Sequence, residues 1–250
     1  MTVGVVRAGD TVRRPAGPHT PAVHALLDHL RGAGLQGVPR VFGTDRRGRE
    51  ILSFAPGAVV HPDHNGLVAP DRALSDVAGW IRDFHSASAE FVSPPDARWQ
   101  NLFGDVGQGV IAHNDLGRWN LVRDDGGGWT FIDWDAAAPA DPLWDLAYAA
   151  HGLVPLSPTA PRGLEHVDRD RRLRLLASVY GLDEAARRRL PGLVTARADA
   201  QRRLVVDGAA AGREQWRAQL RDGHHHVWAR AAAFARAGEA RWRRVLLAGD

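Results

Sequence analysis

Residues 110–135, VIAHNDLGRWNLVRDDGGGWTFIDWD, set His113, Asn114, Asp115, Asn120, Asp133 and Asp135 among Val110, Ile111, Leu121, Val122, Phe131 and Ile132. Carboxylates and amides beside such apolar runs lose hydration unless a partner compensates them. Residues 124–128 read as a turn between two apolar runs. With the turn centred near Gly126 and Gly127, antiparallel pairing puts Asn120 opposite Asp133, and directly paired residues carry Cβ atoms about 4.5–5.5 Å apart. An amide oxygen and a carboxylate at that separation suit one Mg²⁺, a hard cation that takes few protein ligands beside phosphate oxygens and water. Asp115 enters from the preceding loop. It can face a metal-bound phosphate without ligating the metal, the position of a base that orients an attacking hydroxyl.

These residues need elements to hold them. Residues 3–7 and 11–14 read as strands around Ala8, Gly9 and Asp10. Thr20 is an expected helix N-cap with Pro21 at the first helical position, and residues 21–33 put Val23, Leu26, Leu27 and Leu30 on one face before Gly34. Residues 38–45 and 48–57 form a second expected hairpin. Pro56 and Gly57 then open a loop-rich stretch to Pro70. That break divides the chain into a small β-rich lobe, residues 1–55, and a mainly helical lobe, residues 56–250. Helices are expected over 71–90, 145–151, 168–180, 183–190, 192–210 and 214–247. The order predicts an α+β fold with two lobes.

His113, Asp115 and Asn120 also match H-x-D-x-x-x-x-N, the catalytic-loop spacing of kinase-like phosphotransferases. Ile132-Asp133-Trp134 stands where that superfamily has its second metal-binding Asp, and residues 136–150, AAAPADPLWDLAYAA, are similar to its G-D-P-x-x-D-L-A tail. The chain thus resembles the aminoglycoside phosphotransferase and choline kinase family, with a protein-kinase-like fold. GVPRVFGTDRRGREILSFAPG resembles that family's strand pair before the hinge, and VAGWIRDFHSAS its helix ending in Leu-His. The resemblance implies Asp115 as the residue that orients and deprotonates the acceptor hydroxyl. It implies Asn120 and Asp133 as ligands of Mg²⁺ on the phosphates of ATP or GTP, with His113 and Asp145 bracing the loop. Ser53, Phe54 and Ala55 become the hinge that meets the base, and Arg14, matched through Val12-x-Arg14, replaces the phosphate-holding Lys. Asp135 has no counterpart in the pattern.

The chain departs from the pattern in the nucleotide-clamping half. All 32 basic residues are arginine, the first helix carries no Glu, and no G-x-G-x-x-G precedes it. Arginine is a competent phosphate ligand, forked where lysine is a point charge. No Asp-Phe-Gly or Ala-Pro-Glu signature supports a protein kinase. The absence of cysteine excludes disulfides, thiolate nucleophiles and cysteine zinc sites. A formal net charge of +3 is weak ground for nucleic-acid binding, and the arginines over 162–203 read as a solvated helical face. No apolar run is long enough to span a membrane and the start lacks a secretory pattern, so the cytoplasm is the expected location. Three consecutive His, 224–226, diverge on a helix and read as a solvated tip. Trp134 and Trp144 are expected beneath the site, Trp119 facing a substrate. The reading is an ATP- and Mg²⁺-dependent phosphotransferase for a small-molecule hydroxyl, an antibiotic such as an aminoglycoside or a metabolite, with resistance as its setting. The alternative is a degenerate module of the same fold that holds a ligand or partner, an immunity protein without phosphoryl transfer.

Overall fold

The computed structural model describes residues 4–248. Strands β1 (Val6–Ala8) and β2 (Thr11–Pro15) form the first hairpin. β4 (Arg49–Ser53) pairs with β2, and β3 (Val41–Thr44) closes the antiparallel sheet in the order β1-β2-β4-β3. Side chains alternate across a strand, so Leu52 and Glu50 of β4 face the same way. Both are buried, Glu50 to 1% exposure. Helix α1 (Thr20–Gly32) packs Val23, Leu26, Leu27 and Leu30 into the core on the expected face. Its cap differs from expectation. His19 occupies the N-cap position, and Thr20 lies inside the helix, because its Oγ1 closes a turn by accepting from the Gly17 amide at 2.9 Å.

Gly57 crosses so near the next hairpin that a Cβ there would lie 2.1 Å from the Arg123 carbonyl oxygen. That close passage lets β5 (Ala58–Val59) join β7 (Leu121–Arg123), which pairs in turn with β8 (Trp129–Phe131). The register of β7 with β8 corrects the expected pairing by one residue. Leu121 faces Phe131, and the Ile132 amide donates to Asn120 O at 2.8 Å, so Asn120 stands opposite Ile132 rather than Asp133. The reason is the turn. Asp124 accepts from the Gly127 and Gly128 amides, which centres the reversal on Gly126 alone. Asp133 leaves the ladder with φ +63°. β6 (Val110–Ala112) and β9 (Ala138–Ala140) form a separate two-stranded pair that carries the loop entering this hairpin.

Helix α2 (Asp71–Ala89) contributes Leu74, Val77, Ile81 and Phe84 to the core. α3 (Pro142–Leu153) starts three residues before the expected 145 because Asp141 caps it, accepting from the Leu143 amide at 2.8 Å. α4 (Arg169–Tyr180) is capped by Asp168 and stopped by Gly181 in the left-handed region. The separate helices expected over 183–190 and 192–210 are one, α5 (Glu184–Ala210), with Pro191 inside it. Proline removes one helical hydrogen bond at a cost of about 3 kcal/mol. Burial of Leu190, Pro191 and Val194 and packing along the last helix offset it. The single helix expected over 214–247 is two, α6 (Glu214–Arg221) and α7 (His224–Leu247), broken at Gly223 with φ +76°. No helix among the described residues is long and apolar enough to cross a membrane.

Candidate active site

The loop from His113 to Asn120 hangs on Asp145, a fully buried residue of the first turn of α3. Its carboxylate accepts from the His113 amide at 2.8 Å and the Asn114 amide at 2.9 Å, and lies 3.2 Å from His85 Nε2. Burial alone would raise the carboxyl pKa. The bond to His85, with the charges and amides around it, overrides that and holds it below the ordinary value. Asn114 turns the chain with φ +62° and donates to Ala136 O at 3.2 Å. The Asp115 amide donates to His113 Nδ1, which leaves Nε2 as the protonated nitrogen, 3.2 Å from Ile132 O. His113 and Asp145 thus brace the loop by geometry.

Asp115 is half-buried, and its Oδ2 accepts from Asn120 Nδ2 at 2.7 Å. Burial pushes its carboxyl above the usual range and the Asp133 charge adds to that, against His113, Arg197 and the Asn120 amide. Asn120 Nδ2 also donates to Asp115 O at 3.0 Å. The amide nitrogen is therefore committed, and the carbonyl oxygen is the end that can ligate a cation.

On the facing sheet, Arg14 gathers three carboxylates. Nη1 meets Asp133 Oδ1 at 2.8 Å, Nη2 meets Asp135 Oδ1 at 2.5 Å, and Nε donates to Glu50. Burial works against the guanidinium charge, but Asp135, Glu50 and Asp133 together raise its pKa. His24 of α1 reaches the other Glu50 oxygen at 2.9 Å, and His19 lies 3.3 Å from Asp135. Asp135 stays below its ordinary pKa, since the His19 bond and Arg14 outweigh burial. The acidic partner sought on the first helix is therefore on β4, directly across the ladder from Arg14, and the helix supplies His24 instead. Glu50, His24 and His19 escape a reading by motif. The signal for Glu50 is its place on the apolar face of an alternating strand.

Asn120 and Asp133 offer one amide oxygen and one carboxylate, and Asp133 is 43% exposed at its side chain. Among the described residues no cluster of three or more His, Cys, Asp or Glu could hold a metal unaided. That donor set fits Mg²⁺ carried in on phosphates, which completes its octahedron with substrate oxygens and water. Arg14 holds the Asp133 oxygen that such a cation would share.

Of the expected hinge, the Ser53 amide donates to Arg40 O and the Phe54 amide to Asp10 O, each at 2.8 Å. The Phe54 ring lies 3.8 Å from the Arg7 guanidinium. Ala55 follows β4 outside any strand or helix.

A cavity of about 480 Å³ opens beside Asp115, lined by Trp119, Tyr148, Gln201, Trp216 and Trp228 among others. Trp119 folds over the loop because Gly117 leaves room: a Cβ there would lie 2.2 Å from the indole. Trp134 is fully buried and packs on His113 with ring centroids 4.6 Å apart. Gln201, Trp216 and Trp228 come from the helical tail, where no motif marked them.

The profile of the phosphotransferase enzyme family matches residues 96–174. A trifolitoxin immunity protein of Rhizobium leguminosarum bv. trifolii is 36% identical over 216 residues, 84% of this chain and 72% of that protein. Among solved structures, a choline/ethanolamine kinase family protein from Mesorhizobium loti superposes with TM-score 0.62 at 18% identity, covering 98% of this chain and 89% of the other. The GDP complex of aminoglycoside 2'-phosphotransferase-IIIa gives 0.55 at 14% identity, covering 96% and 91%. These likenesses make the fold the two-lobed, protein-kinase-like one, with a small β-rich part and a larger helical part.

Proposed function

Because the chain belongs to the phosphotransferase enzyme family, we propose that it transfers the terminal phosphate of ATP or GTP to a hydroxyl of a small molecule. The observation that carries this reading is Asp115. It stands in the wall of a cavity, on a loop clamped by Asp145, with Asn120 bonded to it and its proton affinity raised. A carboxylate so placed accepts the hydroxyl proton as the oxygen attacks. The new oxygen–phosphorus bond forms in line as the bridge to the β-phosphate breaks, and the diphosphate leaves.

Arg14, steadied by Glu50 and His24, is the cation that would hold the nucleotide phosphates. Asn120 and Asp133 would hold Mg²⁺, which when bound neutralises phosphate charge. Arg14 would then exchange Asp133 for phosphate oxygens. Trp119 and Tyr148 would keep water from the acceptor side.

Asp115→Asn should lower transfer by about 10²–10⁴-fold with nucleotide affinity unchanged. A fully active variant would remove Asp115 from the mechanism. A second reading, a module that holds a ligand without transfer, is favoured by two observations: Arg14 is already engaged by Asp133 and Asp135, and the relative at 36% identity is named for immunity. Thermal shift with ATP or GTP, with and without Mg²⁺, followed by turnover over an acceptor panel separates the two. Metal-dependent stabilisation with no turnover of any acceptor favours the holding module.

A further inference from the structure

The cavity beside Asp115 has one carboxylate in its wall, Asp115 itself, and behind its lining rings stand two guanidiniums, Arg197 against Phe103 and Tyr148 and Arg118 5.6 Å from Trp119, neither in a salt bridge among the described residues. Arg197 is buried, donates Nη2 to Asn114 O at 2.6 Å, and leaves Nε and Nη1 unpartnered. Arg118 is half-buried and donates Nε to Asn65 Oδ1 at 2.8 Å. A second cavity of about 360 Å³ shares Trp119, Val227 and Trp228 with the first. Arg118, Arg230, Ser157 and Thr159 line it, and no acidic residue does.

Charge decides what this pair of cavities can accept. A cation withdrawn from water without a counter-ion is costly, and an anionic group on a ligand removes that cost. Two of the rings in the first cavity already carry a cation. The Arg197 guanidinium lies 3.9 Å from the Phe103 centroid and 4.0 Å from that of Tyr148. A second cation over those rings would meet Arg197 rather than a free π face. In the adjoining cavity an ammonium group would meet Arg118 and Arg230 with no carboxylate to balance it, while Trp119 and Trp228, shared by both cavities, offer broad planar contact.

We propose that the acceptor is an aromatic hydroxy acid. Its ring lies against Trp119 and Trp228 with the hydroxyl towards Asp115, and its carboxylate meets Arg118 in the adjoining cavity. The hydroxyl's place rests on the phosphotransferase reading; the acid and the ring rest on the two cavities. Isothermal titration of the full chain without nucleotide tests it, with 4-(hydroxymethyl)benzenepropanoate, whose ring separates hydroxyl from carboxylate, its methyl ester, and the cationic amine 4-(hydroxymethyl)benzenepropanamine. The acid should bind at least about tenfold more tightly than either. Arg118→Gln should bring the acid down to the ester's affinity and leave the ester unchanged, and Arg118→Lys should restore part of the difference. Equal affinity of acid and ester, tighter binding of the amine, an equal loss of both ligands in Arg118→Gln, or no binding at millimolar concentration would each overturn the proposal. Phosphate transfer is measured separately. Acid-selective binding without transfer upholds the ligand class and counts against the transferase reading. Transfer to the amine but not the acid does the reverse.

Discussion

At the scale of single residues, half-buried Asp115 and buried Glu50 are two acids with opposite duties. Asp115 has Asn120 and a remote guanidinium for company, so burial dominates and its proton is held above the ordinary carboxylate range. Only the deprotonated form can accept a hydroxyl proton. Transfer should fall as pH drops through that raised value, placing the acid limb of kcat/KM above the roughly 3.9 of a free aspartate. A limb at or below that value would show that burial does not govern this carboxyl. Glu50 instead bridges Arg14 and His24. Glu50→Gln should cost about 1–3 kcal/mol in urea denaturation, since a neutral amide leaves its buried partners short of charge and an acceptor. It should also weaken nucleotide binding by loosening Arg14. Motif spacing exposes Asp115 because its role depends on near neighbours in the chain. Glu50 acts across a ladder from Arg14, 36 residues away, and is found only by asking why a charge sits on an apolar face.

The elements carry their own lesson. Strands, first hairpins and α2 follow from alternation and helical periodicity, because each buries one face against a core that the same pattern builds. The errors lie where a turn or a long-range contact decides. One residue of register between β7 and β8 was settled by Asp124 accepting two glycine amides, which no apolar pattern reports. Pro191 reads as a breaker, yet packing keeps α5 continuous, and Gly223 breaks a stretch whose periodicity reads as unbroken. At the C-terminal end of α3, burial lowers the His151 pKa from its ordinary 6.5 to about 4. Between those values the unfolded chain takes up a proton that the folded chain refuses. Stability therefore falls as pH drops from 6.5 to about 4, by about 3 kcal/mol in all, and is unaffected by this group above 6.5. His151→Gln should flatten that part of the pH–stability curve measured by denaturant titration. An unchanged slope would assign the acid sensitivity elsewhere.

For the molecule as a whole, nucleotide and metal should act together on one folding equilibrium. At a hundredfold excess over Kd a ligand of the native state adds about 2.7 kcal/mol, or roughly 5–10 °C in Tm for a chain of this size. The gain should need Mg²⁺ and shrink in Asp133→Asn. An equal shift without metal would mean that Arg14 alone neutralises the phosphates. The loop's arrangement was legible from residue types a few positions apart, because His113, Asp115 and Asn120 are brought together by one short turn of chain. So were the α+β class and the division into a β-rich beginning and a helical remainder, since local periodicity reports which face of each element is buried. The Arg14–Glu50–His24 cluster, the one-residue register and the cationic backing of the cavity beside Asp115 were decided by the folded structure. The cluster and the cationic backing depend on residues brought together by how whole elements pack, and the register on turn hydrogen bonds that no apolar pattern reports.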